Sequence, residues 1–292
     1  MVSMTRTIDL HAHTTASDGD LSPTQLIWWA KAIGLSAIAV TDHDTTGGIA
    51  EAVLAGQKYG IEVVPGVELS ADIDIPKGQC HLLGYLFDLK HIGLNARLAE
   101  VRENRNQRNA KIAAKIQAHG WNVTLEEIEA VSGGEVVARP HIARVLVDRG
   151  FVPSMAEAFA AYLCKGGLFY VERDRLSQEE AIRLIHDAGG VCVLAHPNNL
   201  NCDESETESH IRQLQSFGLD GIEARYNRHT PDYTARHLAL AERLELLTTG
   251  GSDFHGQSVK ENVYLGHVEG NLPAPTELLE TLRTAAQKYQ IA

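Results

Sequence analysis

Short apolar runs alternate with helical patterns along most of the chain. "SAIAVTDHD" (36–44), "IEVVPGVELS" (61–70), "CHLLGYLF" (80–87), "GVCVLAHP" (190–197), "DGIEAR" (220–225) and "LELLTTGGSDFH" (244–255) read as buried strands, and Ile8 and Leu10 begin an earlier one. Between that first strand and the next, "SPTQLIWWAKAIG" (22–34) predicts a helix with Ser22 as N-cap and Pro23 at its first position. The apolar stripe is read as Leu26, Trp29, Ala30 and Ile33, which assigns Trp29 to the core. "DTTGGIAEAVLAGQKYG" (44–60) and "SQEEAIRLIHDAGG" (177–190) repeat the helical pattern and end at Gly60 and Gly189. Strands apolar on both faces, alternating with helices, imply an α/β fold with a parallel sheet covered by helices.

The rhythm breaks between 94 and 165. "LNARLAEVRENRNQRNAKIAAKIQAHG" (94–120) predicts a long helix, and "TLEEIEAVSGG" (124–134), "RPHIARVLVDRG" (139–150) and "SMAEAFAAYLCKGG" (154–167) predict short ones with no strand among them. Residues 94–165 are therefore expected as a helical insert or cap, and 1–93 with 166–292 as one discontinuous α/β unit. Six Arg or Lys (97, 102, 105, 108, 111, 115) stand against Glu100 and Glu103 in the long helix, and most of them are read as a solvated face.

Composition narrows the partners more than the fold. Across 292 residues, 44% hydrophobic and 22% charged content is ordinary for a globular protein. A net charge of −12 argues against a nonspecific coat on double-stranded DNA or an anionic membrane, although bound cations can reverse the local potential in a pocket. No signal peptide or apolar span is seen, so a cytoplasmic location is expected, with no obligate protein partner evident. Cys80, Cys164, Cys192 and Cys202 form no CxxC pair, which speaks against a thiolate zinc site or a disulfide framework.

Chemistry gathers where strands end. His11, His13, Asp18 and Asp20 follow the first strand, Asp42, His43 and Asp44 the second, and Glu68 the third. His81 sits in the fourth, His196 ends "VLAHP", and Asp253 and His255 close "GGSDFH". In parallel α/β folds the C-terminal strand ends converge on one face, so these residues meet in one pocket. A single such His is usually a hydrogen-bonded structural residue; a donor after nearly every strand is the mark of a metal site. Imidazoles and carboxylates without thiolates suit manganese, zinc or iron at a hydrolytic centre. So many donors are too many for one ion and fit two or three, with a carboxylate as bridge.

The chain resembles the polymerase and histidinol phosphatase (PHP) family through "DLHAHTTASDG", "AVTDHDT", "VPGVELS", "LAHP" and "GSDFH", which run in family order from residue 9 to 255. The resemblance implies a distorted (β/α)7 barrel with a helical insert and a metal centre at the C-terminal strand ends. One ion would take His11, His13, Glu68 and Asp253; a second, Glu68, His81 and His196; a third, Asp18, His43 and His255. The context of His81, "QCHLLGY", is the loosest match. Manganese is the first expectation for the metal, with zinc or iron as alternatives. The implied activity is removal of the 3′-phosphate from nucleoside 3′,5′-bisphosphates by a metal-bridging hydroxide. The alternative is 5′→3′ trimming of short 5′-phosphorylated RNA.

A ribose alkoxide is a poor leaving group, so a general acid is expected, and His229 and His141 are the candidates. Arg139 and His141 begin a predicted helix, where an anion is favoured. Lys165, Arg225 and Asn227 complete the substrate-binding candidates, and Thr14 and Thr15 could orient ligands. Two remoter readings are a TIM-barrel amidohydrolase, whose bridging carboxylated lysine has no counterpart in "CHLLGYLF", and a noncatalytic metal-binding module.

Overall fold

Each apolar run named above forms a strand, shortened at its ends. The computed structural model of the chain describes residues 7–75, 78–132, 137–172, 175–268 and 274–290. The strands are β1 (Thr7–Asp9), β2 (Ala37–Val40), β3 (Glu62–Ala71), β4 (Cys80–Tyr85), β5 (Val191–Leu194), β6 (Gly221–Tyr226), β7 (Leu247–Gly251) and a short β8 (Ala274–Pro275). They pair in the order β7-β6-β5-β4-β3-β2-β1-β8. Past the ladder ends, Leu10 N donates to Gly250 O at 3.1 Å, Asp253 N to His11 O at 2.8 Å and His13 N to Phe254 O at 2.9 Å. The first and seventh strands therefore meet, and the sheet nearly closes into a barrel. Gly251 lies where they meet, and a Cβ there would fall 2.2 Å from His11 Cβ, so only glycine permits this approach.

The sheet is not all parallel. β4 runs antiparallel to both β3 and β5, and β8 antiparallel to β1. Segment 72–79 explains the reversal, because it is too short for the helical crossover that a parallel return requires. The start of β4 therefore lies at the same barrel end as the C-termini of its neighbours, and His81, its second residue, opens into that end.

Around the barrel stand α1 (Pro23–Ala32), α2 (Ile49–Tyr59), the first half of α3 (Ile92–Ala118), and, after the insert helices α4 (Leu125–Ser132), α5 (Arg139–Asp148) and the single turn α6 (Met155–Glu157), α7 (Gln178–Asp187), α8 (Glu204–Ser216) and α9 (Pro231–Arg243). The Ser22 side chain accepts from Gln25 N, and the Gln25 side chain accepts from Ser22 N, so α1 starts on a complete capping box. Its buried face is Pro23, Leu26, Ile27 and Ala30, while Trp29 and Ile33 are 41% and 46% exposed. The expectation of a core Trp29 is thus corrected. Both stripes have i, i+3, i+4, i+7 spacing, and the small residues of α2 packed on α1 select the other one. Trp29 meets Phe254 edge-on at the rim, with ring centroids 6.2 Å apart.

A second core fills the barrel interior with Ile8, Leu10, Val64, Leu83, Tyr85 and Val193, closed by Leu279, Leu282 and Ala286 of α10 (Glu277–Gln290). Arg283 of α10 pairs with Glu62 at the start of β3, and Tyr289 donates to Asp220 just before β6 at 2.6 Å. The helix therefore stoppers the end opposite the histidines.

The insert has its own core, built from Ile112, Ile116, Ile128, Ile142, Leu146, Leu163 and Phe169. Its helices follow the expected order, and Ala158–Leu163 continues α6 as a π-helical turn; the expected end of the second helical pattern at Gly133 and Gly134 lies outside the described residues. Helix α3 is shared: Leu94, Leu98 and Val101 pack in the barrel core, Ile112 and Ile116 in the insert core. Between them Arg105 and Arg108 are 6% and 5% exposed. The reading of this stretch as a solvated face is therefore corrected at those two positions. Both lie on the face that links the two cores. No helix among the described residues is long and apolar enough to cross a membrane.

Candidate active site

Nine side chains from β1, β2, β3, β4, β5 and β7 or their C-terminal loops converge at the open barrel end. Donor atoms of eight of them fall into three groups, each within 4.8 Å: His11, His13, Glu68 and Asp253; His43, Glu68 and His81; and His13, Asp18, His43 and His255. His196 lies outside these groups and, of the cluster's carboxylates, faces Glu68 alone. Glu68 stands at the centre. Its Oε2 lies 3.3 Å from His11 Nε2, 3.2 Å from His13 Nε2 and 3.1 Å from His43 Nδ1. Its Oε1 lies 2.9 Å from both His81 Nδ1 and His196 Nε2. The two oxygens thus face different histidine sets, as a bridging carboxylate must. All nine positions expected as ligands are brought together, and His13 and His43 each face two groups.

The donor set fits divalent cations. His11 Nε2, His13 Nδ1 and Nε2, His43 Nδ1 and Glu68 Oε2 are buried without a hydrogen bond, which in an apolar interior is costly unless something else satisfies them. Two tetrahedral ligands of one zinc-sized ion stand about 3.4 Å apart, and the 3.2–3.6 Å separations among His11, His13, Glu68 and Asp253 match that spacing. The charges agree. Burial alone would push Asp18, Glu68 and Asp253 up, yet the neighbouring imidazoles, with Lys260 beside Asp253, hold all three well below the usual carboxylate range. Burial pushes His13 down, but the Asp253 and Glu68 carboxylates outweigh it and raise it to about 9. The cluster is a buried anionic nest that draws positive charge.

Other residues hold these in place. Asp42, one of the acidic residues after β2, accepts from Thr14 N, Thr14 Oγ1 and Ser17 Oγ at 2.6–2.8 Å and so shapes the loop carrying Asp18. Asp20 accepts from Ser258 N and Oγ, tying that loop to the one after His255. Asp9 accepts from His11 N, Ser252 N and Oγ, and Gly266 N. Tyr226 Oη and Lys260 Nζ both reach Asp253 Oδ2, at 3.0 and 2.6 Å, which turns Oδ1 toward His11 and His13. Glu223, Tyr226, Lys260 and Arg105 escaped the sequence reading. For Glu223 a signal existed, since a carboxylate within the apolar run "DGIEAR" is out of place unless it has buried partners.

The insert brings cations to the mouth. Arg105 pairs with Asp44, which also accepts from Ser70 N and Oγ. Arg105 Nε and Arg175 Nε are buried without a partner. Arg139, half-buried at the start of α5, donates to Leu163 O at 3.1 Å, and burial together with nearby Arg175 and Arg105 pushes its proton affinity down. His141 Nδ1 accepts from Ala138 N at 3.0 Å, which puts its proton on Nε2. Burial lowers its proton affinity, against the nearby Asp18 carboxylate that raises it.

The remaining candidates stand apart. His229 is buried with Nδ1 on Ala224 O at 3.1 Å and Nε2 by Asn198 Oδ1 at 3.2 Å, and burial lowers it to about 4. Lys165 is exposed on the insert, Arg225 is half-buried in β6, and Asn227 lies on the turn after it. Among the described residues, neither Lys165 nor Asn227 hydrogen-bonds to a cluster residue. Lys260 Nζ reaches Oδ2 of Asp253, the oxygen turned away from His11 and His13.

Metal should therefore be part of the fold's stability. At a free metal concentration of 100 times the dissociation constant, binding adds about 2.7 kcal/mol. Stripping with a chelator should lower the melting temperature and adding manganese restore it; a melting curve indifferent to both would contradict the assignment.

Residues 9–165 match the family model described as the PHP domain. A 5′-3′ exoribonuclease of Haemophilus influenzae is 36% identical over 252 residues, covering 86% of this chain and 91% of that one. A 3′,5′-nucleoside bisphosphate phosphatase of Chromobacterium violaceum is 36% identical over 265 residues, covering 90% and 91%. A solved structure described as a metal-dependent phosphoesterase from Bifidobacterium adolescentis aligns with a TM-score of 0.81 at 28% identity, covering 96% of each chain.

Proposed function

This chain belongs to the PHP family of phosphoester-cleaving, metal-dependent proteins, and we propose that it removes the 3′-phosphate from nucleoside 3′,5′-bisphosphates. The observation that carries the reading is the mutual proximity of Arg105, Arg139 and Arg175, with Arg105 paired to Asp44, the residue after His43 of the buried carboxylate–imidazole cluster. Such a site has two anion-binding halves, and a bisphosphate presents two phosphates.

His11, His13, Glu68 and Asp253 would hold one divalent ion, Glu68, His81 and His196 a second, and Asp18, His43 and His255 a third, with manganese as the first choice. When bound, these ions supply Lewis acidity toward the phosphoryl oxygens and make water more acidic. The protein's own part is placement. Arg105, fixed by Asp44, and Arg139 grip the distal phosphate with charge-assisted hydrogen bonds. His141 holds its proton at Nε2 and offers it to an oxygen of the bound ester. His229 takes no part in this scheme, because its Nδ1 is held on Ala224 O and its ring is neutral at pH 7. Helix α3, crossing between the two cores, limits how much substrate fits behind the reacting phosphate.

Phosphate release by manganese-loaded protein tests this, with adenosine 3′,5′-bisphosphate, AMP and a short 5′-phosphorylated RNA compared side by side. Release from the bisphosphate should exceed that from AMP by at least about 100-fold, the loss of one desolvated Arg–phosphate contact being worth about 3 kcal/mol. Mononucleotides accumulating from the RNA, with the bisphosphate slow, would overturn the proposal in favour of a strand-trimming exoribonuclease.

A further inference from the structure

Glu223 has no solvent exposure, lies outside every ligand group, and touches two of the ligands. Its Oε1 stands 3.0 Å from His11 Nδ1, and its Oε2 accepts from the backbone N–H of His196 at 2.8 Å. β6 is irregular at this point: Glu223 pairs with Thr249, whereas Arg225 pairs with Gly250, so one residue is extra. Such a bulge re-aims the side chains that flank it. Here Glu223 ends up buried under the cluster, with Arg225 half-buried beyond it.

We propose that Glu223 is a positioning residue that sets the tautomer of His11 and the backbone of His196 for metal binding. It rests on reading the cluster as a metal centre. A carboxylate oxygen only accepts, so with a cation held between Nε2 and the Glu68 and Asp253 carboxylates the His11 ring keeps its proton on Nδ1, toward Glu223 Oε1. The Nε2 lone pair then points to the ion, on the side where Nε2 faces Glu68 Oε2 and Asp253 Oδ1 without a hydrogen bond. Carboxylate–histidine pairs of this kind fix ring orientation and raise ligand basicity. The second contact acts on conformation. His196 has φ +27° and ψ +70°, a region non-glycine residues avoid. A backbone N–H held by a buried carboxylate keeps it there, with Nε2 turned to Glu68 Oε1 at 2.9 Å. One side chain thereby couples a ligand after β1 to a ligand after β5.

Glu223→Gln separates this role from simple packing. The amide keeps the shape but has one acceptor oxygen, so it can serve His11 Nδ1–H or His196 N–H and must turn an NH₂ toward the other. Manganese affinity, measured by competition with a chelating indicator and without substrate, should fall about 10- to 100-fold. The metal-free variant should still unfold in one cooperative transition, so that the loss of affinity is read on folded protein. Unchanged manganese affinity in a folded Glu223→Gln protein would overturn the proposal. Should the variant not fold, two-bond ¹H–¹⁵N spectra of zinc-loaded wild type decide: a proton on His11 Nδ1 supports the assignment, a proton on Nε2 overturns it. Wild type that binds no manganese would remove the metal-centre reading itself, an outcome distinct from either of these.

Discussion

Glu68→Ala is expected to lose bound metal and turnover together, with kcat/KM falling about 10³-fold or more, about 4 kcal/mol of transition-state stabilisation. Both oxygens of Glu68 are shared among five histidines, and its side chain has no solvent exposure. Removing it takes away the one group common to the first two ligand sets and leaves His11, His13, His43, His81 and His196 facing each other with less anionic charge between them. Glu68→Gln should do nearly the same damage while preserving volume, because the loss is of charge and of one coordinating oxygen. Metal content by elemental analysis and single-turnover kinetics check this. A Glu68→Ala protein with full metal loading and a near-normal rate would end the bridging assignment.

The second large effect falls on stability as well as rate. Arg105→Ala takes the buried guanidinium away from the buried Asp44 carboxylate, which also accepts from Ser70 N and Oγ. Removing one partner of a buried ion pair costs about 3–5 kcal/mol, which corresponds to a melting temperature lower by roughly 10 °C. The same change removes the charge proposed to meet the distal phosphate, so on that reading KM should rise as well. Arg139→Ala is the contrasting case. Its guanidinium is only half-buried and donates to one carbonyl, so the variant should fold and load metal normally while KM rises or kcat falls. Unaltered kinetics in Arg139→Ala would return that residue to the general surface charge. An Arg105→Ala protein as stable as the wild type would mean that Asp44 is not held as an ion pair.

The clustered imidazoles and carboxylates were readable along the chain because most of them sit within a few residues of a strand end, and local spacing suffices to place them there. The same logic could not rank the arginines. Arg105 and Arg108 stand in a helix whose neighbours in sequence are charged, and nothing local distinguishes a solvated face from one wedged between two cores. His229 and His141 looked alike as proton donors. Their surroundings differ: His229 has its Nδ1 on Ala224 O, whereas His141 accepts at Nδ1 from Ala138 N and, among the described residues, has no hydrogen bond at Nε2. Trp29 was misplaced for a related reason: two overlapping stripes in α1 satisfy the same period, and the choice belongs to α2.

By itself, then, the sequence determined the strand–helix order, the run of helices between β4 and β5, the capping of α1 and the imidazole and carboxylate side chains that gather at one barrel end, because these depend on backbone periodicity and on which donor atoms exist. Tertiary structure alone decided the reversal of β4 that carries His81 to the open end, the division of α3 between two cores, and the partners of Glu223, Lys260 and Arg105. These are contacts between residues far apart in the chain, such as Arg105 with Asp44 and Glu223 with His11. Their energies come from burial and charge pairing, which no local pattern of hydrophobic and polar positions encodes.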